Sequence, residues 1–209
     1  RYLITLNKLF EEDLLGGGFD EKFESYLSDQ FVYRDNFMSI NTISKKAVGY
    51  FEVNHVYFGK DGYLFNKYDY TNTKYLKGNI KAVNEFSSHK KVNLLLVPSS
   101  SYTVNKLPKY AYTTDEKQMI VEIYNELKTN NIDVYEELKN SDSYFKLDHH
   151  WNEKGAFIAY KKIIENLLNE APKEFDYKVV SEDFKGTTYS KAGAFWYKGE
   201  NILEILSQA

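Results

Sequence analysis

The spacing of apolar residues divides the chain into a helical beginning and a mixed α/β remainder. From residue 1 to about 50, aromatic and aliphatic residues recur at steps of three and four positions, as Phe37, Ile40 and Ile43 illustrate. This periodicity is typical of amphipathic helices. The pattern predicts an N-terminal helical arm over residues 1–50, followed by an α/β domain over residues 51–209.

The α/β domain begins with a predicted β-hairpin. Two β-prone runs, 53–58 and 63–65, flank the glycine-bounded sequence Gly59-Lys-Asp-Gly62, and such a turn between two β-prone runs favours a hairpin. His55 falls in the first predicted strand. A lone histidine in a strand is more often a packed or half-exposed residue than a functional one.

After the hairpin, helical and apolar segments alternate. The predicted elements are helices over about 74–90, 115–129 and 153–169, and strands over 92–97 and 132–135. The nearly continuous apolar run from Leu94 to Val97 is typical of a parallel strand that helices cover on both faces. Asn152 is the predicted N-cap of the last helix. We expect loop and short strand after Pro172, including residues 186–193.

Composition excludes several classes of function. The chain carries 27 basic and 30 acidic residues, a net charge of −3, and so lacks the basic excess that nucleic-acid binding requires. It has no cysteine, which excludes disulfides, thiol catalysis and thiolate metal sites. Aromatic residues make up 17% of the chain, including 19 tyrosines, so many rings must lie at the surface. Such surfaces suit sugars.

The candidate site is the sequence Asp148-His149-His150-Trp151, which places two of the four histidines beside a carboxylate just before a predicted helix. Asp148 and His150 are two residues apart, so in an extended segment their side chains leave the same side and His149 points away. A histidine can take a proton from a hydroxyl while an aspartate fixes its tautomer. We predict His150 as the base and Asp148 as its orienting partner.

Three other interpretations of this sequence remain open. Asp148 could cap a turn while the histidines fill space or bind the backbone. Asp148, His149 and His150 could instead be metal ligands, although adjacent histidines diverge and no further cluster completes a coordination set. A tryptophan at the position of Trp151 most often packs beneath the loop. The functional alternative is that it stacks on a sugar. We assign Trp151 and His149 to substrate binding and predict no metal and no cofactor.

The nucleophile is the missing part of this constellation. Ser99, Ser100 and Ser101 follow the apolar strand, where open α/β sheets bind ligands, and they could face the same crevice as His150. A serine triplet after Val97-Pro98 is more often a polar turn, and no Gly-x-Ser-x-Gly elbow occurs. Both ends of the chain are apolar, so we expect a fragment of a longer protein whose nucleophile lies outside it.

Together, several motifs resemble those of a known group. They are Asp-His-His-Trp at 148–151 with Asn152 and Gly155, Gly-Lys-Asp-Gly-Tyr-Leu-Phe at 59–65, Leu-Leu-Val-Pro at 95–98 with Leu107-Pro108, and Gly-Thr-Thr-Tyr-Ser at 186–190. The chain resembles the DHHW protein family, which is similar to the SGNH-hydrolase-like domains of alginate O-acetylation proteins with their Asp-x-His-Trp motif. The resemblance spans most of residues 19–193.

The resemblance implies a flavodoxin-like, SGNH-hydrolase-like three-layer α/β/α fold with a parallel sheet, in a bacterial protein that is extracytoplasmic and located at the cell surface or anchored in the membrane. It places the catalytic Asp and His of the alginate relatives on Asp148 and His150. Their catalytic Ser follows in a later Asp-Ser block, which this sequence does not contain.

The function that we expect from these residues is that of a serine esterase or O-acetyltransferase acting on acetyl esters of a cell-surface polysaccharide. Its partners would be the glycan or an acyl-donor protein, and a membrane only through an anchor upstream of Arg1. The alternative is a catalytically inactive surface protein that binds glycan or an assembly partner.

Overall fold

The computed structural model describes residues 31–68, 74–112, 114–139 and 141–206. Its helices are α1 (Arg34–Ala47), α2 (Lys74–Ser87), α3 (Ser100–Thr103), α4 (Glu116–Glu126), α5 (Tyr135–Leu138), α6 (Glu153–Leu168) and α7 (Thr187–Ala192). Its strands are β1 (Glu52–Val53), β2 (Val56–Phe58), β3 (Leu64–Asn66), β4 (Asn93–Leu95), β5 (Asn130–Ile132), β6 (Asp176–Phe184) and β7 (Glu200–Leu206). A 3-10 turn covers Lys60–Gly62.

The predicted hairpin is present and belongs to an antiparallel sheet of three strands in the order β1-β2-β3. The prediction for His55 was wrong. Val53 pairs with Val56, so Asn54 and His55 form the two-residue turn between β1 and β2, with φ of 52° and 59°. Two consecutive positive φ angles are typical of the tight hairpin turn whose twist matches that of the strands. His55 is therefore an exposed turn residue.

A parallel pair of strands, β4 and β5, forms the second sheet, with Leu95 opposite Ile132. Both strands differ from the prediction. β4 ends at Leu95 because the amide of Leu96 donates to the hydroxyl of Tyr124 (2.9 Å) rather than to a strand. β5 ends at Ile132, and the carboxylate of the next residue, Asp133, accepts from the amide of Tyr135 at the start of α5 (2.9 Å). Within the described residues, Leu94 to Leu96 are half-buried, so the expected cover on both faces is incomplete.

The three long predicted helices form. Two of them, α2 and α4, end about three residues before the predicted position. Asn84 explains why α4 stops at Glu126, since its side chain donates to the carbonyl of Glu126 (2.8 Å) and accepts from the amide of Lys128 (2.7 Å). The α6 helix has its predicted start: the side chain of Asn152 accepts from the amide of Gly155 (3.1 Å), which is the N-cap hydrogen bond.

The region after Pro172 is more regular than we expected from its sequence. β6 pairs along its length with β7 in an antiparallel ribbon, and residues 187–192, predicted as loop and short strand, form α7. β7, the partner of β6, follows α7 in the chain, so no local sequence pattern predicts the pairing. α7 buries Tyr189 and Ala192 against the first sheet.

The core lies on both faces of the first sheet. One cluster packs β2 and β3 against α5 and α6; its central members are Tyr57, Phe65, Val134, Leu138, Tyr144 and Ala159. The second packs the opposite face of the sheet against α7; it includes Val53, Val56, Leu64, Leu147, Tyr189 and Ala192. Leu147, the residue before Asp148, is thus an anchor in the core.

Residues 1–30 of the predicted N-terminal arm lie outside the described residues, and the described part of the arm contains the helix α1. The hydroxyl of Thr42 donates to the carbonyl of Ala192 (2.9 Å), and this contact joins α1 to the end of α7. A domain boundary near residue 50 stays a prediction. Within the described ranges, no helix combines the length and the apolar character needed to cross a membrane.

Candidate active site

The loop that carries Asp148 is held by three separate elements. Before it, the carbonyl of Lys146 accepts from the amide of Leu64 in β3 (2.7 Å), and the carbonyl of Leu147 accepts from the amide of Tyr189 in α7 (3.0 Å). The Glu200 carboxylate of β7 accepts from the amides of Lys146 and Leu147 (2.8 and 2.6 Å). Burial raises the pKa of Glu200 against the opposing effect of these two amides. The two residues that precede Asp148 are therefore fixed in place by three elements.

Asp148 is a buried carboxylate that accepts four hydrogen bonds. Its Oδ1 accepts from the backbone amide of His150 (3.0 Å) and from Nδ1 of His150 (2.5 Å). Its Oδ2 accepts from the backbone amide of Thr187 (2.7 Å) and from the Thr187 hydroxyl (3.0 Å). Burial by itself would raise the pKa of Asp148, which is 2% exposed, but these donors outweigh it and hold the pKa below its usual value. Asp148 is thus kept ionised beside His150.

The hydrogen bond to Asp148 assigns the tautomer of His150. An ionised carboxylate only accepts, so Nδ1 carries the proton and Nε2 of the neutral ring has a free lone pair. The His150 side chain is 65% exposed, which leaves Nε2 accessible to a reacting hydroxyl. This is the orientation in which a histidine acts as a general base. The turn-capping interpretation holds as well, since the same Oδ1 also accepts the backbone amide of His150.

Gly186 and Thr187 complete the support of Asp148, a role that was not predicted from the sequence. A Cβ atom on Gly186 would lie 2.5 Å from Cγ of Asp148 and closer still to its Oδ2, so only glycine fits. Thr187 begins α7, and the first amides of a helix have no partner within it. A glycine and a hydroxyl residue before the apolar Tyr189 are the local signal that could have predicted this helix start.

The orientation predicted for His149 was wrong. Its Nδ1 lies 3.1 Å from the Thr187 hydroxyl and 3.6 Å from Oδ1 of Asp148, and its ring lies 3.8 Å from that of His150 between centroids. Alternating side-chain directions apply to an extended strand, whereas residues 147–150 form a bend. The bend brings both imidazoles to the same carboxylate.

A cavity of about 400 Å³ joins the two polar loops that were expected to face one crevice. It is lined by Tyr68, Val97, Pro98, Ser99, Glu116, Tyr144, His149, His150 and Trp151. The hydroxyl of Tyr144 donates to the carbonyl of Pro98 (2.6 Å) and so ties the loops together. Trp151 packs against the core and also lines the cavity, so both of its predicted roles are compatible with its position.

The three candidate serines differ in their access to His150. Ser100 and Ser101 are buried at 2% and 8% exposure. Ser99 lines the cavity, but its hydroxyl donates to the carboxylate of Glu116 (2.7 Å) and contacts the hydroxyl of Ser101 (2.8 Å). In the part of the chain that the structure describes, no hydrogen bond joins any of the three to His150. They stay candidates by position alone.

The metal interpretation is disfavoured by the hydrogen bonding of Asp148. Ligand atoms of Asp148, His149 and His150 lie within 4.8 Å of one another. Each carboxylate oxygen of Asp148, however, already accepts two hydrogen bonds. A metal ion on Asp148 would compete with these four donors for the same carboxylate. The donor set fits a hydrogen-bonded Asp–His pair better than a coordination site.

Comparison with known proteins identifies the family. The family of SGNH hydrolase-like domains described for the acetyltransferase AlgX matches residues 56–194. The chain belongs to this family. No curated protein matches it. The matched range includes β2 and β3 of the first sheet, both loops of the cavity and α7. The resemblance and the SGNH-hydrolase-like fold expected from the sequence are confirmed.

Solved structures with the same fold include three bacterial proteins. A DHHW family protein from Eubacterium siraeum is 22% identical with a TM-score of 0.61, covering 75% of this chain and 56% of that one. PatB1 from Bacillus cereus, solved with a sulfonyl adduct, is 21% identical with a TM-score of 0.54, covering 70% and 54%. The O-acetyltransferase domain of AlgJ from Pseudomonas putida is 15% identical with a TM-score of 0.57, covering 73% and 64%. The matched part of this chain thus spans between 54% and 64% of the length of each neighbour.

Proposed function

We propose that this AlgX-type domain supplies the acid–base pair of a serine-type O-acetyltransferase or esterase that acts on acetyl esters of a cell-surface polysaccharide outside the bacterial cytoplasm. The observation that carries the proposal is the buried Asp148 carboxylate, hydrogen-bonded at 2.5 Å to Nδ1 of His150, whose Nε2 has no hydrogen-bond partner among the described residues. Membership of the AlgX family and the fold shared with the AlgJ O-acetyltransferase domain support it.

The geometry suits both halves of an acyl transfer. As a serine hydroxyl attacks the acetyl carbonyl, Nε2 of His150 takes its proton, and Asp148 stabilises the resulting imidazolium. The proton then passes from His150 to the departing alcohol as the C–O bond of the ester breaks. In the second half, a sugar hydroxyl or a water molecule attacks the acetyl-enzyme while His150 takes its proton. His150 then gives this proton to the serine oxygen as the serine ester bond breaks.

The test is hydrolysis of p-nitrophenyl acetate by this chain and by any longer natural polypeptide that contains it. We expect His150→Ala to lower kcat/KM by about 10²–10⁴-fold, the contribution typical of a general base. His55→Ala is the matched control, because His55 is an exposed turn residue with a 78% exposed side chain. Turnover that is equal in wild type and His150→Ala would remove His150 from the mechanism.

A second candidate function, binding of glycan without catalysis, is favoured by one observation. The hydroxyl of Ser99, the candidate serine in the cavity, is bonded to Glu116 rather than to His150. A sulfonyl fluoride distinguishes the two functions, with peptide mapping of the product. An adduct that requires His150 supports the enzyme and locates its nucleophile. Glycan binding with neither adduct nor turnover would support the binding protein.

A further inference from the structure

The tautomer of His149 is assigned by its contacts in the same way as that of His150. Thr187 has one hydroxyl proton, and its Oγ1 lies 3.0 Å from Asp148 Oδ2 and 3.1 Å from His149 Nδ1. The ionised carboxylate only accepts, so the hydroxyl donates to Asp148 and accepts from Nδ1–H of His149. Neutral His149 therefore also has its free lone pair on Nε2.

Both imidazoles turn their Nδ1 atoms toward the Asp148–Thr187 pair, with the ring planes tilted by 39°. Both residues line the same 400 Å³ cavity. Because Nε2 lies on the far side of each ring from Nδ1, both Nε2 atoms point away from the carboxylate, on rings whose centroids are 3.8 Å apart. The site presents a pair of neighbouring acceptors, only one of which the acyl transfer uses.

We infer that His149 determines substrate specificity by accepting a hydrogen bond from a second hydroxyl, next to the one that His150 deprotonates, so that the site selects a vicinal diol on a sugar ring. Two hydroxyls on adjacent ring carbons are neighbours, as the two acceptors are. The side chain of His149 is 34% exposed, sufficient for such a contact. Val97, Pro98 and Trp151 provide apolar wall for the C–H face of the ring.

This inference rests on the proposed function only for the role of His150 in the reaction. The predicted substrate is a polysaccharide with free hydroxyls on two neighbouring ring carbons. A polysaccharide that offers only a primary or an isolated hydroxyl would not fit. A sugar that lacks the second hydroxyl would leave Nε2 of His149 without a hydrogen-bond donor. Loss of one such hydrogen bond corresponds to about a tenfold loss in affinity.

The test measures binding without turnover. Binding of cis-1,2-cyclohexanediol and of its monomethyl ether, 2-methoxycyclohexanol, to this chain is followed through the imidazole ¹⁵N resonances. We expect wild type to prefer the diol about tenfold. His149→Asn retains a donor near the Nδ1 position and lacks Nε2, so it should lose the preference. His149→Gln places an amide near the Nε2 position and should recover part of it.

Two results would overturn the inference: equal affinity of wild type for both compounds, or a preference that persists in His149→Asn. A urea denaturation curve and the Nδ1–H resonance of His150 check that His149→Asn remains folded with an intact Asp148–His150 pair. Since no ester is hydrolysed, failure here is distinct from failure of the proposed function, which appears as turnover that is insensitive to His150→Ala.

Discussion

The contact between Gly186 and Asp148 leads to a quantitative prediction for Gly186→Ala. The backbone at Gly186 has φ −82° and ψ −171°, a conformation open to alanine, so any cost comes from the new methyl group. Its Cβ would lie 2.5 Å from Cγ of Asp148, far inside van der Waals contact. Either Asp148 or the start of α7 must therefore move.

The magnitude follows from what such a movement breaks. Inserting a methyl group into a packed site costs about 1–3 kcal/mol, and each hydrogen bond lost from the charged carboxylate costs about 1.5–3 kcal/mol. Since moving α7 away from Asp148 strains the two Thr187 bonds, we expect Gly186→Ala to lower the free energy of unfolding by about 3–5 kcal/mol. At a urea m-value of about 2.5–3 kcal/mol/M, the midpoint falls by about 1–2 M.

Urea denaturation followed by circular dichroism measures this change, and Gly78→Ala is the matched control. Gly78 lies inside α2 with nothing within 4 Å of a Cβ atom, so alanine there should raise stability by about 0.5–1 kcal/mol. The Nδ1–H resonance of His150 should shift or disappear in Gly186→Ala alone. The reasoning fails if Gly186→Ala matches wild type in both midpoint and resonance.

Two further predictions concern residues on either side of this contact. Because hydrogen bonds hold the folded-state pKa of Asp148 below its unfolded value, its stabilising contribution is present above about pH 4 and is lost as the pH falls through the folded pKa. The urea midpoints of wild type and Asp148→Asn should thus differ most near neutral pH and converge in acid; a gap independent of pH would contradict the shift. Tyr144→Phe should lower the free energy of unfolding by about 1–3 kcal/mol, because it leaves the buried carbonyl of Pro98 without its 2.6 Å donor. A thermal melt tests this, with the exposed Tyr110→Phe as control; equal losses in both variants would show that the hydrogen bond contributes nothing.

The features that the sequence predicted well depend on residues close together in the chain. The hairpin, the α6 helix and its Asn152 cap follow from turn chemistry and apolar periodicity. The pairing of Asp148 with His150 is a contact between residues two apart, and it too was predicted from the sequence. Its catalytic role stays a prediction.

The tertiary structure decided the features that depend on distant residues. Thr187 reaches Asp148 from 39 positions away, and Glu200 holds the loop before it; neither contact leaves a local pattern. β6 is a strand because β7 pairs with it, and β4 is short because Tyr124 takes the next amide. His149 faces the carboxylate because the loop bends between these anchors. The sequence by itself determined which residues form the Asp–His pair, and the long-range hydrogen bonds determined the environment that keeps Asp148 ionised and turns both imidazoles toward one cavity.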